Sequence, residues 1–452
     1  MQWWDESPEI RCRRSIHPIN LLAVKLLADV TPLRNPDFRR LWTTGIVTVI
    51  GAQLSVVAVP KQLYDITQSS SYVGLAGLFG LVPLIGFGLW GGALADAMDR
   101  RTLLLITSTG TGLTALAFWA QAAAGNTNPW LILGLFAAQQ AFFAVNQPAR
   151  AAIYPRLLPG EQLPAANSLS MTVMQFGAIA GPVSAGMLIP VTGLAMLYLL
   201  DAVALLATVW AVWKLPPIPP VGETRRAGIR EVLDGFGYLA TQKVLLASFA
   251  VDIVAMVFGM PRALFPEIAQ HSFGDSPSGG TALGLLFAAM SVGAVLGGVF
   301  SGWLSRIRRQ GLAVIWLIVL WGLAMVGFGV AVGATGHGLG MTVGLWIALT
   351  CLAFGGAVDM FSAALRTTML QQVATDEMRG RLQGVFIVVV AGGPRIGDVA
   401  HGFAAAAVGT AVAAAGGGLL VVIGMVISAI AFPIFVRYRV SRTHADLPAR
   451  NG

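Results

Sequence analysis

The chain has 452 residues, of which 56% are hydrophobic and only 11% are charged, and its formal net charge is +8. Soluble domains are typically about 25% charged, so a single water-soluble core is excluded and lipid must surround most of the chain. We attribute the positive net charge to an arginine-rich cytoplasmic face of a membrane protein rather than to a nucleic-acid-binding surface.

Apolar segments long enough to cross a bilayer, which takes about 20 residues, follow one another along the chain. The predicted spans are 41–63, 72–95, 102–124, 129–149, 165–190, 193–213, 244–269, 280–304, 311–333, 341–365, 383–407 and 411–436. This pattern predicts a six-helix bundle over 41–213, a cytoplasmic linker over 214–243 and a second six-helix bundle over 244–436. Residues 1–40 are expected to form a tail with an interfacial helix, and residues 437–452 a second tail.

Basic residues concentrate in alternate loops and in both tails. The alternate loops hold Arg100, Arg101, Arg150, Arg156, Lys214, Arg225, Arg226, Arg230, Arg306, Arg308, Arg309, Arg366, Arg379 and Arg381. The loops on the other side hold only Lys61 and Arg262. The positive-inside rule therefore predicts cytoplasmic termini. The excess of arginine over lysine, with abundant alanine and glycine, is typical of GC-rich bacteria and favours a bacterial cytoplasmic membrane.

An internal repeat relates the two groups of spans. One constant offset aligns Arg150, Glu161, Asn167, Gly177, Gly181 and Gly186 with Arg366, Glu377, Gln383, Gly393, Gly397 and Gly402. Two homologous six-helix halves that meet at a central pathway are the architecture that such a repeat predicts.

The loop between the second and third spans carries a recognisable motif. From Gly91 to Arg101 the chain reads GGALADAMDRR, which resembles the loop signature G-x-L-a-D-r-x-G-R-R of the major facilitator superfamily. We predict a conformational latch in this loop that forms in one state and breaks in the other. The alternative is a capped turn with interfacial arginines, and Asp99 stands where the family has glycine. The candidate latch residues are Gly92, Asp96, Asp99, Arg100 and Arg101.

The fifth span contains a stretch of small residues. From Gly177 to Gly186 it is similar to the G-x-x-x-G-P-x-x-x-G element of exporters in this superfamily. We predict close helix packing at Gly177, Gly181 and Gly186, with a bend at Pro182 where the halves rock. Ordinary small-residue packing is the alternative.

Further segments resemble the branch of the superfamily that contains bacterial enterobactin exporters and related drug-efflux proteins. Examples are residues 35–42 (NPDFRRLW) and 260–266 (MPRALFP). The resemblance covers about residues 35–436 and implies an all-α membrane fold of twelve transmembrane helices in two pseudo-symmetric bundles. The arginine that many proton-coupled exporters carry in the fourth span is absent from residues 133–139 (LGLFAAQ).

Ionisable residues within the membrane cost free energy because they lose their hydration, so their presence indicates a function. In the predicted eleventh span, Arg395, Asp398 and His401 follow one another at helical spacing, so the carboxylate is expected to lie between two partners. We predict proton coupling here, with Asp252 of the seventh span as a second candidate. A static Arg–Asp pair is the alternative.

Polar amides in several spans are candidates for a substrate cavity, although interhelical hydrogen bonding explains any single one equally well. The candidates are Gln53, Gln139, Gln140, Asn146, Gln147 and Gln175, together with Asp359, which we also expect to pair with Arg366. Such groups beside phenylalanines suit a bulky, partly polar organic molecule.

No phosphate-binding loop, metal-ligand spacing or nucleophile motif occurs in the sequence, so ATP drive, a bound metal and an enzyme activity are not expected. The sequence predicts a secondary transporter that functions as a monomer in the lipid bilayer and uses the proton gradient as its energy source. The predicted activity is export of a small organic molecule, a siderophore or a drug-like compound. A metabolite importer or uniporter on the same fold, and a membrane sensor that does not transport, remain open.

Overall fold

The structure is a computed structural model that describes residues 29–219, 237–335, 337–373 and 376–439, with the side chains at 89, 92–93, 95–97, 152 and 376–388 left out. Within these ranges the regular elements are α-helices and short 3-10 turns. The helices are α1 (Pro36–Thr67), α2 (Ser70–Ala97), α3 (Arg100–Ala123), α4 (Pro129–Leu157), α5 (Leu163–Trp213), α6 (Lys243–Phe258), α7 (Phe265–His271), α8 (Thr281–Val299), α9 (Gln310–Thr335), α10 (Met341–Val373), α11 (Asp376–Val408), α12 (Thr410–Ala431) and α13 (Pro433–Val436).

Helix α5 contains two membrane spans. Its 51 residues would reach roughly 76 Å at 1.5 Å per residue, whereas the hydrocarbon core of a bilayer is about 30 Å thick. Gly193 interrupts it with φ 76° and ψ 172°, a conformation that glycine adopts without a steric penalty. The first part of α5, before Gly193, corresponds to the predicted span 165–190, and the second part to 193–213.

Each predicted span falls on a helix. Ten helical segments of the described chain are long and apolar enough to cross a membrane; the segment containing α5 holds two spans, and α11 corresponds to the predicted span 383–407. The predicted span 244–269 is interrupted, because α6 ends at Phe258 and α7 begins only at Phe265. Pro261 and Pro266 lie in and just after this break, and proline lacks the N–H that a continuous helix needs.

A polar side chain fixes the start of α1, which the hydropathy pattern does not determine. Asn35 caps α1 by accepting hydrogen bonds from the backbone N–H groups of Asp37 and Phe38, at 2.9 and 3.1 Å. The Asn35 amide also donates to the carbonyl oxygen of Leu157 at 2.7 Å. The start of α1 is thereby joined to the end of α4, and the helix begins at Pro36 rather than at the predicted residue 41.

The repeat in the sequence is reproduced in the packing. In the first half, Gly177 and Gly181 of α5 face α1, while Gly186 faces α8 of the other half. The matching glycines of α11 behave equivalently: Gly393 and Gly397 face α6, and Gly402 faces α2 of the other half. Helices α1 and α6 open their respective halves, so the two halves are pseudo-symmetric, as the repeat predicts.

The two halves meet mainly at one end of the bundle. We call the end that carries Arg101 and Arg156 the arginine-rich end, and the end where α1 joins α2 the opposite end. The halves pack through α2 against α11 and through the first part of α5 against α8. A methyl group on Gly74 would lie 2.6 Å from the carbonyl oxygen of Asp398, and one on Gly186 equally close to Gly280. Both contacts lie toward the opposite end, which is therefore closed by direct backbone contact.

Candidate functional site

A cavity of about 780 Å³ lies between the two halves. It is bounded by α1, α2 and α4 on one side and by α8, α11 and the 3-10 turn Arg262–Leu264 on the other. Its walls are largely apolar, with the aromatic rings of Phe136, Phe143 and Phe287, and its size suits a drug-sized ligand. The polar lining groups are Ser55, Gln140, Gln147, Arg262, Arg395 and Asp398.

A charged cluster occupies the wall formed by the second half. Arg262 and Arg395 both lie within electrostatic reach of the Asp398 carboxylate, as does the backbone N–H of Ala263. Arg395 Nη2 donates a hydrogen bond to Gln140 Oε1 of the first half at 2.8 Å, and its guanidinium lies 6.0 Å from the centre of the Phe136 ring. The cluster thus holds two cations and one carboxylate, and it bridges the halves through Arg395.

His401 lies away from this cluster, in contrast to the sequence-based expectation that it would flank Asp398. Its Nδ1 is 3.0 Å from the carbonyl oxygen of Gly397, and its Nε2 would contact a methyl group placed on Gly417 of α12 at 2.5 Å. The ring is therefore buried between α11 and α12. Helical spacing brings His401 near Asp398 along α11, but the His401 ring packs against Gly417 of α12.

Asp252 belongs to an ion-pair network inside the second half. It forms a salt bridge with Arg366, and Arg366 Nη2 lies 3.7 Å from Asp359 Oδ1. Asp252 and Arg366 are only 1% and 5% exposed, and none of the three residues lines the cavity. The ion pair expected between Asp359 and Arg366 is present, and it accounts for Asp359 without a place in the cavity.

The candidate amides divide between the cavity and helix packing. Gln140 and Gln147 line the cavity. Gln139 is buried outside it, Gln53 faces Gly181 of α5, and Gln175 is exposed. Adjacent helical residues point about 100° apart, so Gln139 and Gln140 necessarily face different surroundings.

Asn146 likewise serves helix packing rather than the cavity. Its side-chain amide donates hydrogen bonds to the hydroxyl groups of Thr107 at 2.9 Å and Ser108 at 3.1 Å, both on α3. The interhelical alternative raised for the amides therefore describes Asn146.

The predicted latch loop is tied to the end of α5 in the same half. Asp99 Oδ1 accepts from the Thr102 backbone N–H at 2.8 Å, and Oδ2 accepts from that of Ile218 at 2.6 Å. The Arg100 backbone N–H donates to the Ile218 carbonyl at 3.0 Å, and Arg101 Nη2 donates to the Trp213 carbonyl at 2.7 Å. Asp99 therefore forms the capped turn.

Partial burial alone would raise the pKa of Asp99, but the hydrogen bonds from Thr102 and Ile218 and the charge of Arg101 outweigh burial and hold the pKa below its ordinary value of 3.8. The side chains of Gly92 and Asp96 lie outside the described residues, so their part in a latch stays a prediction.

Three charged residues, only one of which lines the cavity, have positions that the sequence did not indicate. Arg262, assigned to an outer loop, lines the cavity. Lys61, also assigned to a loop, lies within α1 and is 2% exposed. Asp201 is 1% exposed in the second part of α5, where it accepts a 2.5 Å hydrogen bond from Ser55. The available signal for Asp201 was its position as the one charged residue of the apolar span 193–213.

Among the described residues, no group of three His, Cys, Asp or Glu side chains is placed to hold a metal ion. The site is an apolar cavity with a charged wall. Its shape, its amide side chains and its guanidinium groups can bind an organic molecule.

A helical membrane protein with two pseudo-symmetric halves around a central cavity has the fold of a major facilitator superfamily transporter. The chain belongs to the transmembrane secretion effector family of this superfamily (MFS_3), whose family model matches residues 27–449. It is 29% identical over 405 residues to the enterobactin exporter EntS of Shigella boydii serotype 18, which covers 87% of this chain and 91% of that protein.

Solved transporters share the fold at low sequence identity. A bacterial homolog of the human lysosomal transporter Spinster, in an inward-facing and unoccupied conformation, matches 91% of this chain with a TM-score of 0.68 at 14% identity, over all of that chain. A bacterial homologue of the iron transporter ferroportin in its inward-facing state matches 89% of this chain and 98% of its own, with a TM-score of 0.61 at 16% identity. The ferroportin homologue in its outward-facing state, with soaked iron, gives 0.53 at 16% identity and covers 88% and 98%.

Proposed function

We propose that this transporter exports an amphiphilic organic molecule across the bacterial cytoplasmic membrane in exchange for protons, by alternating access of the central cavity. The observation that carries the proposal is the cavity between the halves, where the Asp398 carboxylate faces Arg262 and Arg395. A carboxylate in such a position exchanges a proton and changes its attraction to its arginine partners at the same time. Proton binding is thereby linked to the contacts between the halves.

The proposed orientation places the arginine-rich end in the cytoplasm, with both termini on that side. Hydrogen bonds between the halves then close the periplasmic end: Tyr64 with His271 at 3.0 Å, Ser70 with Glu267 at 2.5 Å, and Lys61 with the carbonyl oxygen of Pro277 at 2.8 Å. The higher TM-score to the inward-facing ferroportin homologue than to its outward-facing state, 0.61 against 0.53, supports the same assignment. The structure is therefore proposed to be the inward-facing state.

Coupling is proposed to act through Arg395, since it contacts both halves. While Asp398 is ionised, it holds Arg262 and Arg395 on the wall of the second half. A proton on Asp398 removes that attraction and frees Arg395, whose other partner is Gln140 of the first half. The two protonation states thus favour different contacts across the cavity, which is the requirement for a shift between two conformations.

The proposed substrate class is a siderophore or a drug-like compound. The relatives are named as exporters of enterobactin. In this chain, Phe136, Phe143 and Phe287 offer apolar faces, and Gln140 and Gln147 offer hydrogen bonds to a partly polar molecule. One chain contains both halves of the pathway, so we propose that the monomer in the bilayer is the working unit.

The test uses the purified full chain in liposomes with two probes, enterobactin and ethidium, and an imposed pH gradient. We expect transport of at least one probe in the export direction that depends on the gradient and loses this dependence in Asp398→Asn. Asp37→Asn is the matched control, because it removes a carboxylate that lies outside the cavity beside Arg40. If transport is unaffected by both the pH gradient and Asp398→Asn, proton coupling at this residue is contradicted. Gradient-dependent uptake would instead identify an importer.

A further inference from the structure

Asp201 is a buried acid that the proposed coupling scheme does not use. It lies in the second part of α5 and is 1% exposed. Its Oδ2 accepts the 2.5 Å hydrogen bond from Ser55 of α1, while its Oδ1 accepts no hydrogen bond from any described residue. A carboxylate in this setting is half-satisfied, and half-satisfied buried polar groups call for an explanation.

Asp201 also differs from the other acids within the described membrane core. Asp252 and Asp359 lie beside Arg366, and Asp398 lies near two arginines. No Lys, Arg or His of the described chain forms a salt bridge with Asp201. An uncompensated buried charge costs several kcal/mol, so the ionised form of Asp201 is stable only when the conformation supplies more than the single Ser55 hydroxyl.

The titratable groups on the neighbouring elements are engaged elsewhere. Tyr198, on the same helix, donates to Gln62 at 2.9 Å, and Lys61 of α1 pairs with Asp65 at 2.5 Å. Helix α8 and residues 102–123 of α3, which also pack on α5, contain no ionisable side chain. Asp201 therefore has no oppositely charged partner within salt-bridge distance among the described residues.

A polar route connects this acid to the cavity. Ser55 lines the cavity and donates to Asp201. The Ser55 hydroxyl accepts one proton on its lone pair from a hydronium ion in the cavity while it passes its own proton to the carboxylate, and Ser55 is unchanged afterwards. The net reaction transfers one proton from hydronium to Asp201 Oδ2, leaves a water molecule in the cavity and needs no other reactant.

We propose that Asp201 is a second proton-exchange site of this transporter, loaded from the cavity through the Ser55 hydroxyl. It lies in the first half, one hydrogen bond away from the cavity-lining Ser55, whereas Asp398 lines the cavity from the second half. The proposal deepens the proposed function, but proton binding at Asp201 is measurable without any substrate.

Protonation at Asp201 reaches the rest of the molecule through α1. Thr48 of α1 contacts the Thr208 hydroxyl at 2.5 Å and the Ala204 carbonyl at 3.3 Å, so a polar seam with Ser55 and Asp201 joins α1 to the second part of α5. At its other end, α1 carries Lys61, which bonds to the second half. A change of charge in the seam therefore acts on a helix that forms both a cavity wall and a contact between the halves.

The experiment is infrared difference spectroscopy of the full chain in liposomes, titrated with pH in the absence of substrate. We expect a carboxylic-acid C=O band that titrates, disappears in Asp201→Asn, remains in Asp398→Asn and shifts in Ser55→Ala because the hydrogen bond is lost. If Asp201→Asn does not fold, the shift in Ser55→Ala decides the question, with Ser55→Thr as the control that keeps the hydroxyl.

Three results would overturn the assignment. The first is that Asp201→Asn retains every titrating carboxylic band of the unaltered chain. The second is that Ser55→Ala leaves all bands in place. The third is a spectrum that responds to added sodium at fixed pH instead of to pH. The first two results do not bear on Asp398, whereas the third also contradicts proton exchange at Asp398. Conversely, a failure of proton-coupled efflux leaves the spectroscopic test of Asp201 intact, so the failures of the two proposals are distinguishable.

Discussion

Arg366 lies on α10 at 5% exposure, with Asp252 of α6 on one side and Asp359 of its own helix on the other. Each charge in this network has lost its hydration, and the attraction between opposite charges offsets that cost. The network therefore does not stabilise the fold more than an apolar core would. Removing the cation leaves two carboxylates facing each other in the membrane core. The network therefore makes the second half sensitive to a single substitution.

We expect Arg366→Met to lower the stability of the chain by about 3–5 kcal/mol, the usual cost of breaking a buried ion pair. Thermal unfolding in detergent measures this loss. Arg40→Met is the matched control, because Arg40 and Asp37 form a partly exposed pair, 3.0 Å long, and such pairs near the surface are worth at most about 1 kcal/mol. Equal unfolding temperatures for Arg366→Met and Arg40→Met would show that the buried pair does not stabilise the fold.

Asp99→Ala is expected to destabilise the first half by about 0.5–2 kcal/mol at pH 7, since the cap of α3 and the bond to Ile218 are lost. The pKa of Asp99 is lowered in the folded chain, with hydrogen bonds from Thr102 and Ile218 and the charge of Arg101 outweighing burial. Its contribution is therefore complete above the ordinary value of 3.8 and is lost as pH falls through the folded value. Unfolding temperatures at several pH values test this: the gap to the unaltered chain should narrow in acid, and Asp99→Asn, which keeps a cap, should lose less.

At the scale of single residues, the sequence indicates which side chains are unusual for a membrane span, but it does not indicate which groups they contact. Asp398 and Arg395 were identifiable as charges within an apolar span, and both line the cavity. Gln139 and Gln140 were indistinguishable, because periodicity gives the angle between neighbours and not the direction of either one. The role of Arg262 depends on a turn folding back toward α11, which no local pattern encodes.

At the scale of elements, close approach between helices depends on glycine. Gly74 and Gly77 of α2 lie against the backbone of α11, so that any side chain at either position would meet main-chain atoms. Backbone atoms cannot move aside as a flexible side chain does, and this contact closes the opposite end of the cavity. The α2–α11 contact therefore requires small residues for closure and not for the folding of either helix alone.

We expect Gly77→Leu to prevent closure at the opposite end and to abolish transport while the chain still folds. Gly86→Leu is the control on the same helix, since a side chain there meets nothing within 4 Å. Initial transport rates of the probes in liposomes, with gel filtration to verify folding, distinguish the two. Wild-type rates in Gly77→Leu would mean that the α2–α11 contact is not needed in the cycle.

The sequence predicts the elements well where hydropathy alone decides them and less well where the backbone breaks. All twelve apolar segments lie on helices. Hydropathy does not predict the interruption between Phe258 and Phe265, because the apolar run continues through Pro261 and Pro266 and hydropathy does not register a missing N–H. The start of α1 lies earlier than hydropathy predicts, because the Asn35 cap is polar and precedes the apolar run.

At the scale of the whole molecule, the constant offset between repeated residues predicts two related halves, and the glycine contacts of α5 and α11 confirm this relation. The offset cannot predict which end of the bundle is closed, because both conformations of a rocking transporter use the same sequence. That choice depends on contacts between halves, such as Tyr64 with His271, whose partners lie 207 residues apart.

We expect a cysteine at Gln147, introduced into a Cys12→Ser/Cys351→Ser background, to react with an impermeant maleimide added from the cytoplasmic side. Gln147 lines the cavity in the half of α4 nearer the arginine-rich end, and the opposite end is closed. Inside-out and right-side-out vesicles separate the two directions of labelling. Predominant reaction from the periplasmic side would reverse the proposed orientation or the proposed state, and a cysteine at Asn128, at the other end of α4, distinguishes between these.

The bond between Asp99 and Ile218 ties down the last described residues before the chain crosses from one half to the other. An N-terminal fragment that ends shortly after Ile218 therefore holds its own C-terminus in place through this hydrogen bond. The covalent connection to the second half is not required for that. A gene split within residues 220–236 should yield two coexpressed polypeptides that assemble into a working transporter. In such a split protein the Asp99→Ala fragment should assemble poorly, although the same substitution in the intact chain is only mildly destabilising.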